Sequence, residues 1–390
     1  MNGAAPDADS QLHWHDNGSD HAARWRSEAG APAPKRIRLA DDTLAADPAY
    51  RLACEGTALL WRGDFQNARQ LLQSLARRAD RKPRSMAVPS GPATLVPAQL
   101  FHANRQAQAQ RARVLASVLI PLEPDYGIAL RRAPDLRQAC IEAWGLPDGT
   151  PSVVSLRELL GVVGAHEWRK KGVEIPALGP SPGNRIHPHY GVFSPVRGEY
   201  LDLLAQAPLP STALAFDIGT GTGVIAALLA RRGVQRVIAT EHEARALACA
   251  QDNITRLGLA AQVEVMDMDL FPPGQAPLVV CNPPWLPARP SSPVERAVYD
   301  EGSRMLRGFL GGLAAHLAVG GEGWLVLSDL AEHLGLRTRA ELLEWIGRAK
   351  LNVLSRKGVR PRHPKSRDAG DPLSAARSRE ITSLWRLAVA

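Results

Sequence analysis

Cysteine is scarce. The 390 residues hold four, Cys54, Cys140, Cys249 and Cys281, widely separated and without a C-x-x-C pair. This excludes a disulfide-dense secreted scaffold and a paired-cysteine metal site, and points to a reducing cytoplasm. No uninterrupted apolar run approaches the ~18 residues of a membrane span, and the polar N-terminus lacks the apolar core of a secretory signal, so a soluble, cytoplasmic protein without a membrane partner is expected. Metal ligands in sets are missing too. His13, His15 and His21 have no companion ligands and read as part of a solvated tail. His187 and His189 have no cysteine or acidic partner at metal spacing, so a surface or substrate-pocket role is expected of them and no metal is. The dinucleotide fingerprint G-x-G-x-x-G is absent as well, which disfavours a nicotinamide-dependent oxidoreductase.

The length and a hydrophobic content of 45% allow two domains with real cores. The balance of 47 Lys+Arg against 39 Asp+Glu gives a net charge of +8, compatible with an anionic partner such as RNA. Residues 1–47, rich in Ala, Asp, Pro and Ser, read as a disordered tail. Residues 48–171 read as a mostly helical N-terminal domain, with helices expected near 64–78, 98–119, 134–144 and 155–171. The basic patch Arg77, Arg78, Arg81, Lys82 and Arg84 suits either phosphate contact or a helix C-terminus. A Pro- and Gly-rich linker is expected over 172–185. From there to residue 390 strands near 213–218, 236–240, 262–266, 277–281 and 323–328 alternate with helices near 222–232, 243–257, 302–318 and 337–348. That alternation predicts a mainly parallel sheet with helices on both faces, an α/β Rossmann-like domain. Asn352 to Ser355 and Ile381 to Val389, strands with no helix between them, predict an antiparallel end to the sheet.

The chemistry concentrates between Phe216 and Trp285. Asp217-Ile218-Gly219-Thr220-Gly221-Thr222-Gly223 lies on a strand-to-helix turn, where glycines allow positive φ and close approach of backbone to a nucleotide-like ligand. Glu241, about twenty residues on at the end of the second strand, is placed to accept both hydrogens of a ribose diol. Asp269 follows the third strand and suits an adenine amino group, with Asp267 the near-equal alternative. Asp217 suits anchoring the loop or an ammonium group of the ligand. Asn282-Pro283-Pro284-Trp285 follows the fourth strand at the carboxyl edge of the sheet. The Asn282 amide oxygen and the Pro283 carbonyl can grip both hydrogens of a planar NH2 group, the two prolines hold that geometry stiff, and Trp285 offers a face for stacking.

These stretches resemble the motifs of class I S-adenosylmethionine-dependent methyltransferases, in the small methyltransferase domain group that includes release-factor glutamine, ribosomal-RNA guanine and adenine amino methyltransferases. The likeness covers about residues 186–390. It implies that Asp217, Gly219, Thr220, Gly221, Gly223, Glu241 and Asp269 bind S-adenosyl-L-methionine, and that Asn282, Pro283, Pro284 and Trp285 hold the acceptor nitrogen. Val192-Phe193-Ser194 resembles the stretch before the first strand in the ribosomal-RNA enzymes, whereas Val298-Tyr299-Asp300-Glu301-Gly302 is closer to the glutamine enzymes. The expected activity is methyl transfer to a planar amino nitrogen on a macromolecule by in-line displacement. An RNA base is favoured over a protein glutamine because Arg356, Lys357, Arg360, Arg362, Lys365 and Arg367 can neutralise phosphates. The rival of another class is an inactive cofactor- or RNA-binding scaffold.

Overall fold

The computed structural model describes residues 11–16, 18–81, 96–196, 198–292, 294–361 and 371–390. They form two compact units, one from residues up to 81 with His102–Glu167, the other from residues 96–101 with Trp168–Ala390.

The first unit overturns the reading of a disordered tail for residues 11–40. It begins with β1 (Gln11–Asp16), β2 (Ser19–Arg26) and β3 (Ile37–Ala40), followed by α1 (Ala46–Cys54), β4 (Ala58–Trp61), α2 (Phe65–Ala79), α3 (Pro97–Leu115), β5 (Val118–Leu122), α4 (Arg137–Trp144), β6 (Ser152–Ser155) and α5 (Leu156–Lys171). The strands make one mixed sheet in the order β1-β2-β6-β5-β4-β3. Polar residues on the outer face hide β1 and β2 in the composition, but Leu12 and Ala23 are buried against Leu60, Leu119 and Val153. A signal was present: Asp16 pairs with Ser19 across a two-residue connection whose sequence is Asn-Gly, a strong hairpin dipeptide.

Helices do fill most of residues 48–171, and α2 falls where its spacing predicts. The unit is nevertheless organised on a sheet that the helical reading lacks. Its central strands are four or five residues of nearly continuous apolar sequence, which periodicity alone cannot tell from a buried helical turn. The helix expected over 98–119 accordingly stops at Leu115, and Val118–Leu122 is a strand. Leu59 and Trp61 face the core built with α2, whereas Ala58 and Leu60 face the other side.

The second unit starts before the expected boundary. The supposed linker holds β7 (Val173–Glu174) and β8 (Arg185–Ile186), paired antiparallel, and buries Ile175 and Leu178 in the core beside α7 (Val224–Arg231). Its prolines and glycines shape turns within a folded segment. After α6 (Glu199–Gln206) come β9 (Leu214–Ile218), α7, β10 (Arg236–Glu241), α8 (Ala244–Arg256), β11 (Val263–Asp267), β12 (Ala276–Cys281), α9 (Arg304–His316) and β13 (Leu317–Ser328). The chain closes with α10 (Leu330–His333), α11 (Arg339–Arg348), β14 (Leu351–Val359), α12 (Ser374–Arg377) and β15 (Thr382–Val389).

The seven-stranded sheet runs β11-β10-β9-β12-β13-β15-β14. Its first five strands are parallel neighbours, and β15 pairs antiparallel with both β13 and β14, the expected antiparallel end, although the connection read as helix-free holds the short helix α12. Alternate residues load opposite faces. Ala215, Val237, Val280 and Trp324 pack with α6 and α7, and Phe216, Ile218, Val279 and Leu325 with α9 and α11. The strand order reverses direction at β9, where the connections from β10 and β12 diverge. That switch point leaves a crevice at the carboxyl ends of the strands.

Candidate active site

Register sets the level of the rim. Ile218 pairs with Thr240 on one side and with Cys281 on the other, so the chain leaves the sheet at Gly219, Glu241 and Asn282 side by side. One cavity of ≈ 400 Å³ opens there. Gly219, Thr220, Gly221, Glu241, Asp269, Asn282, Pro283, Pro284 and Trp285 all line it. Asp217 and Gly223 lie outside its wall. Asp217 is 1% exposed beneath the turn, and a Cβ on Gly223 would stand 3.4 Å from Ala250 and Ile254, so this glycine, at φ +80°, lets the turn pack against α8.

Asp217 holds the turn together. One carboxylate oxygen accepts the Thr220 hydroxyl at 2.6 Å and the Ala226 amide at 2.9 Å, while its other oxygen is buried with no partner. Burial pushes its pKa from 3.8 up to about 7, against the opposing effect of those two hydrogen bonds. A raised acid means that the folded chain binds more protons than the unfolded one between those two values, so this group subtracts stability as pH rises through that window. The ligand-free protein is therefore expected to melt at a lower temperature near pH 8 than near pH 5.5. Asp217→Asn should flatten that part of the slope in a calorimetric pH series, and an unchanged slope would remove the assignment.

Glu241 is already heavily used. The Gly221 amide donates to its Oε2 at 3.1 Å, and the His242 and Glu243 amides donate to Oε1 at 3.0 and 3.1 Å. A carboxylate offers about four lone-pair sites, so one remains, on Oε2. The carboxylate thus fixes the glycine turn and keeps room for one more donor, not the two that a bidentate diol grip asks for. Between the acidic alternatives after β11, Asp269 lines the cavity and Asp267 does not. Arg304 lies 3.3 Å from Asp269.

Asn282 is oriented by its own motif. The Trp285 indole N–H donates to Asn282 Oδ1 at 2.9 Å, and Trp285 itself packs against both apolar cores of the sheet. An indole can only donate, so the bond fixes which end of the amide carries oxygen. Beside the motif runs the stretch Val298–Tyr299, tied to Leu286 by backbone pairing and lining the same cavity. Asp300 behind it is buried and accepts the Met305 and Leu306 amides, which caps α9. Burial raises its pKa.

Residues 184–339 match the family model described as methyltransferase small domain. Over this segment the chain is similar to methyltransferase small domains. The chain is 33% identical over 172 residues to the release factor glutamine methyltransferase of Cereibacter sphaeroides, covering 40% of this chain and 60% of that one. It is 39% identical over 87 residues to a tRNA1(Val) (adenine(37)-N6)-methyltransferase of Bacteroides fragilis, covering 21% and 37%. The solved methyltransferase of Pyrococcus furiosus aligns with 58% of this chain and 98% of its own at 17% identity and a TM-score of 0.40. The chain thus spans less than two thirds of the length of either curated relative.

The cofactor of the methyltransferase small domain is S-adenosylmethionine, and the cradle suits it. A Cβ on Gly221 would meet nothing within 4 Å, which leaves the turn open toward the cavity at φ +59°. The free lone pair of Glu241 and the Asp269 carboxylate supply acceptors along the same wall. At Gly219, φ +68°, a Cβ would overlap the Met305 methyl, so backbone and thioether already meet there.

Among the lining residues that the sequence reading did not single out are Tyr200 on α6, Met305 on α9 and Arg377 on α12. None sits in a motif with a spacing rule. Phe193 and Tyr299, taken from cues that point to different subfamilies, line the same cavity. His187 and His189 lie outside that wall. The His187 ring donates to the Arg169 carbonyl at 2.6 Å, and His189 sits 3.1 Å from Asp252. Among the described residues no group of three or more His, Cys, Asp or Glu is placed to hold a metal ion, and no helix is long and apolar enough to cross a membrane.

Proposed function

We propose that the protein is an S-adenosylmethionine-dependent N-methyltransferase whose acceptor is a planar amino nitrogen on a macromolecule, with an RNA base as the favoured acceptor. One observation carries this reading: the glycine turn at Gly219–Gly221 and the stiffened Asn282-Pro283-Pro284-Trp285 segment line one cavity across adjacent strands β9 and β12. The bound sulfonium supplies a methyl group already activated for displacement. The protein's own residues then have mainly to align the nitrogen, and strong general-base catalysis is not required. The Asn282 amide oxygen and the Pro283 carbonyl accept hydrogen bonds from the NH2 group, which raises electron density on nitrogen as it pyramidalises. Trp285 steadies the Asn282 amide through its indole N–H, and Tyr299, bridged to Leu286, lines the same cavity.

The basic loop supports RNA less than its composition suggests. Arg356 donates to Ser383 at 3.0 Å and lies over the Trp385 ring, and Lys357 donates to Gln206, so both serve the sheet edge. Arg360 is exposed. Arg362, Lys365 and Arg367, like Lys82 and Arg84 of the earlier patch, lie outside the described residues. A protein glutamine is the second reading, favoured by the 172-residue match to a release factor glutamine methyltransferase. Labelled S-adenosylmethionine with the purified protein and an extract of cells lacking it decides between them. Label lost to nuclease is the expected result, label lost to protease supports glutamine, and no transfer at all supports the inactive scaffold.

A further inference from the structure

Tyr200 is a large polar side chain for which the glycine turn and the Asn-Pro-Pro-Trp segment leave no role. It is 3% exposed, held on α6 within the core that joins α6 to α7, and the surface it keeps borders the cavity. Among the described residues no protein group hydrogen-bonds its hydroxyl, nor is the hydroxyl one of the sealed, unpartnered polar atoms of the unit. The residue lines the cavity, so a partner for the hydroxyl can come from that side. A buried phenol rarely leaves its O–H without a partner, because the desolvated donor costs stability. Burial, and after it the neighbouring Asp217 and Glu199 carboxylates, push its pKa well above the ordinary phenol value, so it remains a donor throughout the working range.

Its place along the rim narrows what it can donate to. Reading across the sheet, the acceptors are Asp269 after β11, Glu241 at the end of β10, Asp217 and the glycine turn at β9, and Asn282 after β12. On the proposed function, the first two serve the adenosine and the last the acceptor nitrogen. The amino-acid arm of the cofactor is left for the β9 position, where Tyr200 stands beside Asp217. That arm is a zwitterion, and a non-ionising O–H donor suits its carboxylate, while Asp217, sealed beneath the turn, supports the turn from behind. We propose that the Tyr200 hydroxyl is a cofactor-binding group that donates a hydrogen bond to the α-carboxylate of S-adenosylmethionine. The inference rests on the cofactor reading of this same cavity.

Calorimetric titration with two ligands tests it. S-adenosylhomocysteine carries the amino-acid arm, and 5′-methylthioadenosine lacks it. Tyr200→Phe keeps the ring and its packing, and is expected to weaken S-adenosylhomocysteine about tenfold or more while 5′-methylthioadenosine changes less than about twofold. In the unaltered protein, converting the ligand carboxylate to a primary amide is expected to cost a similar factor, and Tyr200→Phe should erase that difference. Equal loss for both ligands would make Tyr200 a wall of the cavity only and overturn the assignment, as would no loss for either. If the unaltered protein binds neither ligand, the cofactor reading itself falls and takes this assignment with it.

Discussion

Replacing Asn282 by alanine is expected to reduce methyl transfer by at least about 10²–10³-fold, the loss typical of removing one preorganised polar group from a reacting centre. Cofactor affinity should stay within about twofold, because Asn282 stands at β12 and the cofactor-side carboxylates stand at β10 and after β11. The indole bond adds a complication that the experiment must absorb. Asn282→Ala leaves Trp285 Nε1 without the acceptor it has at 2.9 Å, so the ring can shift within the cavity. A buried donor left unpaired costs about 1–3 kcal/mol, but this one is only part-buried and water can replace the amide. Stability loss should therefore be small, and a melting temperature near wild type with an intact S-adenosylhomocysteine titration would show that the fold survived. Transfer then measures the amide alone. A variant that methylates at the wild-type rate would show that the acceptor nitrogen is held elsewhere, and the carbonyl pair of Asn282 and Pro283 would lose its role.

How much of this was legible in the sequence depended on whether the information was local. Strands β9, β10 and β12 and the turn between Ile218 and Val224 were placed within a residue or two. Glycines punctuate one end of each run there, and long apolar stretches mark buried parallel strands. Asn282 to Trp285 was legible because four consecutive residues carry the whole chemical idea. Tyr200 was not, since it reaches the cavity from an eight-residue helix whose only pattern is apolar. The choice between Asp267 and Asp269 needed coordinates: Asp267 still pairs in the sheet with Glu241, and two residues further the chain has turned toward the cavity. In the first unit the short strand Ala58–Trp61 is buried on both faces, so alternation between its two cores left no trace in hydrophobicity. The polar outer positions of β1 and β2 made a sheet edge look like a tail.

Glu241 is where the second large effect is expected, and it follows from the three amides that it already holds. Glu241→Gln is expected to weaken S-adenosylhomocysteine about 10- to 100-fold, close to the effect of Glu241→Ala, although glutamine is nearly isosteric. The amide oxygen of glutamine can serve His242 and Glu243 as Oε1 does now, but its NH2 would then face the Gly221 N–H, donor against donor. Turning the side chain over only moves the clash to the other two amides. Either way the glycine turn loses a tether, and the one lone pair left for the ligand is replaced by hydrogens. A conventional view of Glu241 as a ribose ligand alone predicts a different pattern. Glutamine would then keep one acceptor and lose little, and alanine would lose far more. Titrating both variants separates the two, since near-equal losses mark a residue that shapes the cradle as well as binding in it. A Glu241→Gln protein that binds as tightly as wild type would refute both the tether and the ligand role.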